Sequence, residues 1–363
     1  MSITFAERLA QIPHYQAGAE SVDSAEREGA RDVVMLASNE SPFPPVPEVV
    51  EAVREAATGV NRYPDPTAQA LRAALANHYE FAVARIAVGN GSCEILLAAA
   101  EALLEPGSEV AYAWPSFSMY PHMSAITGAD AVTVPLGAGY IHDLEALRLA
   151  ITERTRLLLV CNPNNPTGTY LRSEQIEAFL EKVPARVLVV LDEAYIEFQV
   201  LEDPDVTLGL LDRFSNLVLL RTFSKVYGLA GLRVGYALGS EEFRQAVDQV
   251  RQPFAVNRLA QAAATEALRH QDDVVRRVER NATERLWLAE EIEALGLRAA
   301  ESQANFCWLA LDDRDEAEIM RALGRRGVAV RSGSGLGGPG HVRVTYGTRP
   351  ENERFVCAFR EIL

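Results

Sequence analysis

The sequence predicts an α/β protein in which a mostly parallel sheet, covered by helices, is joined to a smaller α/β unit. Three observations carry this. Between about residues 87 and 239, short β-rich runs alternate with helical stretches. Several of those runs are apolar throughout, as strands buried on both faces are. Beyond Gln252 the alternation gives way to one long amphipathic stretch and then to more widely spaced strands. The length of 363 residues agrees, since it corresponds to about two domains at roughly 150 residues each.

Taken in order, segments 110–114, 131–134, 157–161, 187–191, 217–221 and 234–238 read as strands, and 92–104, 143–150 and 173–183 as helices. The Pro-rich segment 42–47 and the turn-rich 62–66 read as ordered connections. In 271–295, Val274, Val275, Val278, Leu286 and Ile292 recur near helical spacing, and Gly296 is a natural stop. Strands follow at 306–311, 328–331 and 342–346, with a helix at 316–325 and a closing helix at 351–363. The first residues are expected to pack on this smaller unit.

There are 35 Lys+Arg against 50 Asp+Glu, a formal charge of −15. So acidic a surface repels phosphate backbones and anionic lipid, which argues against nucleic acid and membrane as partners. No apolar run approaches the roughly 18 residues of a membrane helix. The first ten residues show no basic stretch followed by an apolar run, so no signal peptide is expected. Cys93, Cys161, Cys307 and Cys357 are scattered, without C-x-x-C, so neither a zinc site nor a disulfide framework is indicated and no metal is expected. The default location is the cytoplasm.

Five segments carry candidate chemistry. Asn162-Pro163-Asn164-Asn165-Pro166-Thr167-Gly168 follows a strand directly, where open α/β sheets bind ligands, although such a composition also makes a plain turn. Asp192-Glu193-Ala194-Tyr195 ends a strongly apolar strand. A carboxylate there can face a protonated ring nitrogen from a cleft floor, or simply cap a helix. Arg221-Thr222-Phe223-Ser224-Lys225, followed by Gly228 through Arg233, puts a lysine among cations and hydroxyls. A desolvated lysine beside other cations becomes a nucleophile for a carbonyl, and Arg221, Arg233, Thr222 and Ser224 are anion-binding candidates. Gly89-Asn90-Gly91-Ser92 opens a helix whose start suits a phosphate or a plain cap by Ser92. The third glycine of a dinucleotide fingerprint is absent, which excludes NAD. Arg331 and Arg343 lie on late strands and take their meaning from the rest.

Together, in this order, these strings resemble the pyridoxal-phosphate aminotransferases of class I/II, with the aspartate-aminotransferase fold (fold type I), and among them the histidinol-phosphate and aromatic-amino-acid branch. The resemblance covers essentially the whole chain, from Ile12-Pro13-His14-Tyr15 and Ala37-Ser38-Asn39-Glu40, through Arg62-Tyr63-Pro64-Asp65, to Arg343-Val344-Thr345-Tyr346-Gly347-Thr348-Arg349. It implies a large cofactor domain over 40–252 and a small domain made of 1–39 and 253–363. It implies that Lys225 condenses with the cofactor aldehyde and then moves the proton between substrate and cofactor. Asp192 would keep the pyridine nitrogen protonated, and Asn165 and Tyr195 would bond the phenolic oxygen. Gly91, Ser92, Ser224 and Arg233 would hold the phosphate, with Tyr63 arriving from the partner of a homodimer. Arg343 would bind carboxylate or phosphate of the substrate, assisted by Arg331, Tyr15 and Asn39.

One departure bears on the substrate. The ring-stacking position, commonly tyrosine in histidinol-phosphate enzymes, is Phe117, which stacks but lacks a hydroxyl. The resemblance implies transamination between histidinol phosphate and 2-oxoglutarate, as in histidine biosynthesis, with an aromatic amino acid (phenylalanine or tyrosine) as the alternative. Decarboxylation of a phosphorylated amino acid on the same cofactor, or a non-enzymatic cofactor-binding sensor, are the remaining readings. The last is disfavoured because no basic patch suits a DNA-binding partner module.

Overall fold

The structure, a computed structural model, describes residues 32–363. It begins with β1 (Val34–Met35), α1 (Pro47–Ala57), α2 (Gln69–Tyr79), β2 (Ile86–Gly89) and α3 (Ser92–Leu103). Next come β3 (Glu109–Trp114), α4 (Met119–Thr127), β4 (Asp130–Pro135), α5 (Leu144–Leu149) and β5 (Thr155–Cys161). After α6 (Ser173–Leu180), the strands β6 (Leu188–Asp192), β7 (Leu217–Thr222) and β8 (Gly235–Leu238) complete a seven-stranded sheet of order β2-β8-β7-β6-β5-β3-β4. All its pairings are parallel except the two made by β8.

The apolar runs explain the order. β5, β6 and β7 carry Leu and Val at successive positions and occupy the middle of the sheet, whereas β4, at the edge, alternates exposed residues with Val134. Alternate side chains feed opposite faces. Leu158, Val160, Val189, Leu191 and Leu219 enter one apolar cluster, and Leu157, Leu159, Val190, Val218 and Leu220 the other. Register aligns Cys161 with Asp192, and Asp192 with Leu220, so β5, β6 and β7 end together and their following loops gather on one edge.

The chain then forms α7 (Glu241–Val250), α8 (Arg258–Ala267) and α9 (Gln271–Ala294). A four-stranded sheet of order β12-β13-β10-β9 follows, from β9 (Arg298–Ala299), β10 (Phe306–Ala310), β12 (Arg331–Ser332) and β13 (His341–Thr345). Helix α10 (Glu316–Arg325), strand β11 (Val328–Ala329) and helix α11 (Arg349–Arg360) complete this unit, with its own core around Leu309, Leu323, Val344, Phe355 and Phe359. Strand β1 pairs in parallel with β11, which ties the earliest described residues to this unit. Residues 1–31, on which the expectation about the first residues also bears, lie outside the described part.

Two sequence readings change. The stretch 258–267, assigned above to the smaller unit, packs on α1 and α2, and its Ala260, Ala263, Ala264 and Ala267 are buried in the larger core. In α9, Val275 and Leu286 face solvent. Spacings of three and four place Val274, Val278, Asn281, Leu288 and Ile292 on the inner stripe instead. The stripe passes from one core to the other: Val274 and Val278 pack on the large one, Leu288 and Ile292 in the small one. Among the described residues no helix is long and apolar enough to cross a membrane.

Candidate active site

The loop after β5 contains three asparagines with different duties. Asn162 is tied to the loop itself, donating to the Leu171 carbonyl at 2.9 Å and accepting the Leu171 N–H at 2.7 Å. Asn164 accepts the Ser116 hydroxyl at 2.8 Å and donates to Thr167 at 2.9 Å. These two make the turn. Asn165 instead faces a cavity of about 90 Å³, where its Oδ1 accepts from Arg343 Nη1 at 2.6 Å. Composition alone explains a turn; it does not explain Asn165.

One strand over, Asp192 is 2% exposed. Its Oδ2 accepts the Tyr120 hydroxyl at 3.0 Å and its Oδ1 the Ala194 N–H at 3.3 Å. No ion pair among the described residues involves it. Burial raises its pKa from 3.8 to about 6, against the pull of the Tyr120 and Ala194 bonds. Tyr195 is buried as well, and its hydroxyl accepts from Asn39 Nδ2 at 2.9 Å. Burial pushes this phenol well above its ordinary range.

Lys225 follows the third strand. By surface area the side chain is half-buried, because its amine opens onto the same cavity. Nζ donates to the carbonyls of Ser38 at 3.3 Å and Asn39 at 3.1 Å. Desolvation, then the nearby Arg343 cation, pull it from 10.5 down to about 8. Near neutrality far more of this amine is therefore unprotonated and nucleophilic than of an ordinary lysine.

The start of α3 forms a second locus. Gly91 is the N-cap residue at φ +76°, with no side-chain cap, so Ser92 stands inside the helix and the simple capping reading fails. A Cβ at Gly91 would lie 2.5 Å from Arg233 Nη2, so only glycine lets the guanidinium lie across the helix start. Arg233 Nη1 donates to Ser224 Oγ at 3.4 Å, and Ser224 in turn accepts from Thr222 Oγ1 at 3.0 Å. Free helix N–H groups, a guanidinium and two hydroxyls converge there, which suits a phosphate.

The smaller sheet supplies the opposite wall. Arg331 on β12 and Arg343 on β13 are register partners and both are buried, so they neighbour each other across the ladder. Arg343 Nη2 donates to the Ala37 carbonyl at 2.6 Å. Arg343 stands on an interior strand, since β13 lies between β12 and β10, whereas Arg331 is on the edge strand β12 and is buried all the same.

Thus the cavity gathers Asn39, Phe117, Asn165, Tyr195, Lys225, Arg331 and Arg343, with Asp192 one residue layer away through Tyr120. Tyr63 is not among its lining residues. It is 78% exposed and stacks on Phe254 with ring centroids 4.6 Å apart. Tyr15 lies outside the described residues. Arg221, grouped above with the anion-binding candidates, turns to the other face of β7 into a buried pair with Glu193, because successive strand residues point oppositely. Sequence reasoning missed Tyr120, the Ser38 carbonyl and Leu336. Tyr120 stands three residues after Phe117 at the start of α4, and that spacing was its available signal.

Comparison with known proteins adds findings of three kinds. The family described as aminotransferase class I and II matches residues 31–359. Over 328 residues the chain is 46% identical to an aromatic amino acid aminotransferase of Streptomyces coelicolor, covering 90% of this chain and 89% of that protein. It is 42% identical to a histidinol-phosphate aminotransferase of Moorella thermoacetica, covering 98% and 92% respectively. Among solved structures, a histidinol-phosphate aminotransferase from Sinorhizobium meliloti in complex with pyridoxal-5'-phosphate superposes with TM-score 0.88 at 29% identity, covering 99% and 97% of the two chains. An aspartate aminotransferase from Thermus thermophilus with maleate does so with TM-score 0.88 at 28% identity over all of both chains.

Proposed function

The chain belongs to the class I and II aminotransferases and is a pyridoxal-phosphate-dependent aminotransferase of the aspartate-aminotransferase fold; from that premise we propose that it exchanges an amino group between histidinol phosphate and 2-oxoglutarate. The residues present fit the cofactor. A buried carboxylate with no cation partner among the described residues, a lysine whose proton is held more loosely than usual and a glycine-opened helix start beside Arg233 are the three partners such a molecule requires. When bound, pyridoxal phosphate supplies an aldehyde that bonds amines and an electron-poor ring that stabilises negative charge on the adjoining carbon.

The chain's own residues do the rest. Asp192 holds a proton on the ring nitrogen and is itself drawn into the ionised form by the positive charge it faces. Asn165 and Tyr195 orient the phenolic oxygen, and Gly91, Ser92, Ser224 and Arg233 carry the phosphate. Lys225 Nζ, once free, would be the base that takes the proton from substrate Cα and delivers it to the cofactor's C4′ carbon. Phe117 packs on the ring. Arg343 takes a substrate anion, with Arg331 beside it and Asn39 and Tyr15 contributing to the same wall. We place the active protein in the cytoplasm as a homodimer, in which the exposed Tyr63 reaches the partner's phosphate locus. The division into 40–252 against 1–39 and 253–363 belongs to the same reading, with α8 as its exception.

What carries the choice of substrate is the Arg331–Arg343 pair. Two neighbouring buried guanidiniums suit a dianion, which a phosphate monoester or the two carboxylates of glutamate can each present in turn. Aromatic amino acids remain a second reading, supported by the apolar Phe117 and by the Streptomyces relative. Steady-state kinetics with 2-oxoglutarate against histidinol phosphate, phenylalanine and tyrosine decide. A preference of about a hundredfold in kcat/KM for histidinol phosphate is expected. A preference for either aromatic amino acid replaces this choice with the second reading.

A further inference from the structure

The glycine-rich segment between β12 and β13 has no direct place in the chemistry above, yet it borders the substrate wall at two points. Arg331 immediately precedes it, and Leu336, 4% exposed, is the cavity-lining residue at its middle. Its backbone is folded on itself: Gly333 N–H donates to the His341 carbonyl, while Leu336 and Gly338 N–H groups donate to the Gly333 carbonyl, each at 2.9 Å. It lies flat between two tryptophans. A Cβ at Gly337 would overlap the Trp114 indole at the end of β3, and one at Gly338 would overlap the Trp308 indole on β10. The glycines are thus a condition of the fit between the two sheets.

One side chain from outside the loop fastens it. Glu316, in the first turn of α10, accepts four hydrogen bonds from it. Its Oε1 takes the Ser332 hydroxyl at 2.5 Å and the Ser334 N–H at 2.9 Å. Its Oε2 takes the Ser334 hydroxyl at 2.8 Å and the Gly340 N–H at 2.8 Å. Both ends of the segment are therefore held by one carboxylate. Burial opposes its charge, but the bonds from Ser332, Ser334 and Gly340 outweigh that and keep the carboxyl below its ordinary range.

We propose that Glu316 is a positioning residue for substrate recognition: by clamping both ends of loop 332–340 it fixes Arg331 and Leu336 in the substrate wall. The proposal rests on the assignment of that wall to substrate, and it does not depend on which amine is the second substrate. Glutamate is therefore the probe, since both readings of the second substrate use it.

The test is Glu316→Gln in the cofactor-loaded enzyme. Two backbone N–H groups and two hydroxyls converge on the carboxylate, and an amide can accept the N–H bonds on only one of its ends. Amide exchange at Ser334 and Gly340 is expected to accelerate. KM for glutamate is expected to rise about tenfold, with kcat changed less than about twofold, because a binding wall and not the reacting atoms has been loosened. Thermal unfolding is followed alongside. Accelerated exchange with unchanged KM overturns the proposal, as does a fall in kcat at constant KM. Should Glu316→Gln fail to fold, Ser334→Ala removes a single bond; a KM increase of about twofold is then expected, and no increase overturns the proposal. An enzyme that ignores histidinol phosphate but shows the glutamate effect refutes the substrate choice and leaves Glu316 in its role.

Discussion

Asp192 and Glu193 are adjacent in the chain and equally hidden, with 2% and 0% exposure, yet they end in different surroundings. Glu193 points into a finished network. Arg221 Nε donates to it at 2.8 Å and the Thr207 hydroxyl at 2.6 Å, while Arg221 also donates to Asp205 at 2.5 Å and to the Pro204 carbonyl at 2.8 Å. Asp192 has a phenol and one backbone N–H and, among the described residues, no cation. Burial pushes both carboxyls up, and at Glu193 Arg221 and Thr207 oppose it. One strand end thus presents a carboxylate satisfied by the protein and another that a ligand must complete. An unpaired buried carboxylate costs the fold stability and is retained where a bound cation restores it.

The largest effect expected from this contrast is at Asp192. Asp192→Asn should lower kcat/KM roughly a thousandfold in cofactor-saturated enzyme, the scale of breaking a buried charge pair. Apoprotein stability should move the other way. The carboxyl's pKa rises from 3.8 to about 6 on folding, so the folded state binds more protons in that window and loses stability as pH rises through it. An amide can accept from Ala194 and still pair with Tyr120, without that ionisation cost. Urea unfolding of the apo variant should match wild type near pH 4 and exceed it above pH 6, by up to about 3 kcal/mol. Equal stabilities at pH 7 would show that Asp192 already has a protein cation.

Glu193→Gln tests the other half. Here a buried arginine loses its fully buried charged partner, so unfolding free energy should fall by about 3 kcal/mol, while kcat/KM of the folded enzyme stays within about twofold. A variant that folds normally but loses activity would erase the distinction between the two residues.

How much of this was legible beforehand follows the same line. The central strands announce themselves because runs such as Leu217–Thr222 must be buried on both faces; Asp192 is the last residue of β6, and the loops after β5 and β7 hold Asn165 and Lys225. Local alternation could have separated Arg221 from Thr222, since neighbours on a strand face opposite ways. Other contacts had no local signal. Tyr120 meets Asp192 across 72 positions and Lys225 meets the Asn39 carbonyl across 186, and only the completed sheet brings them together. The α8 packing was missed for a related reason: its alanine stripe is weakly apolar, and its partners α1 and α2 stand some two hundred residues earlier. Val275 and Leu286 are apolar and near helical spacing, but only the stripe through Val274, Val278, Leu288 and Ile292 continues into both cores.

The smallest expected effect separates the two acids that share Arg221. Asp205 makes the shorter contact, at 2.5 Å against 2.8 Å, and distance alone would rank it first. Its side chain, however, is 43% exposed while that of Glu193 is 0% exposed. Water already solvates Asp205 in the folded protein and screens its charge, so its removal leaves Arg221 with a buried carboxylate and the Pro204 carbonyl. Asp205→Asn should therefore cost no more than about 1 kcal/mol in urea unfolding. In the Glu193→Gln background the same change should cost more, because Arg221 would then lose its remaining carboxylate. An Asp205→Asn cost equal to that of Glu193→Gln would mean that contact distance outranks burial in this network, and would remove the reason for treating Asp192, buried and unpaired, as the residue reserved for a ligand.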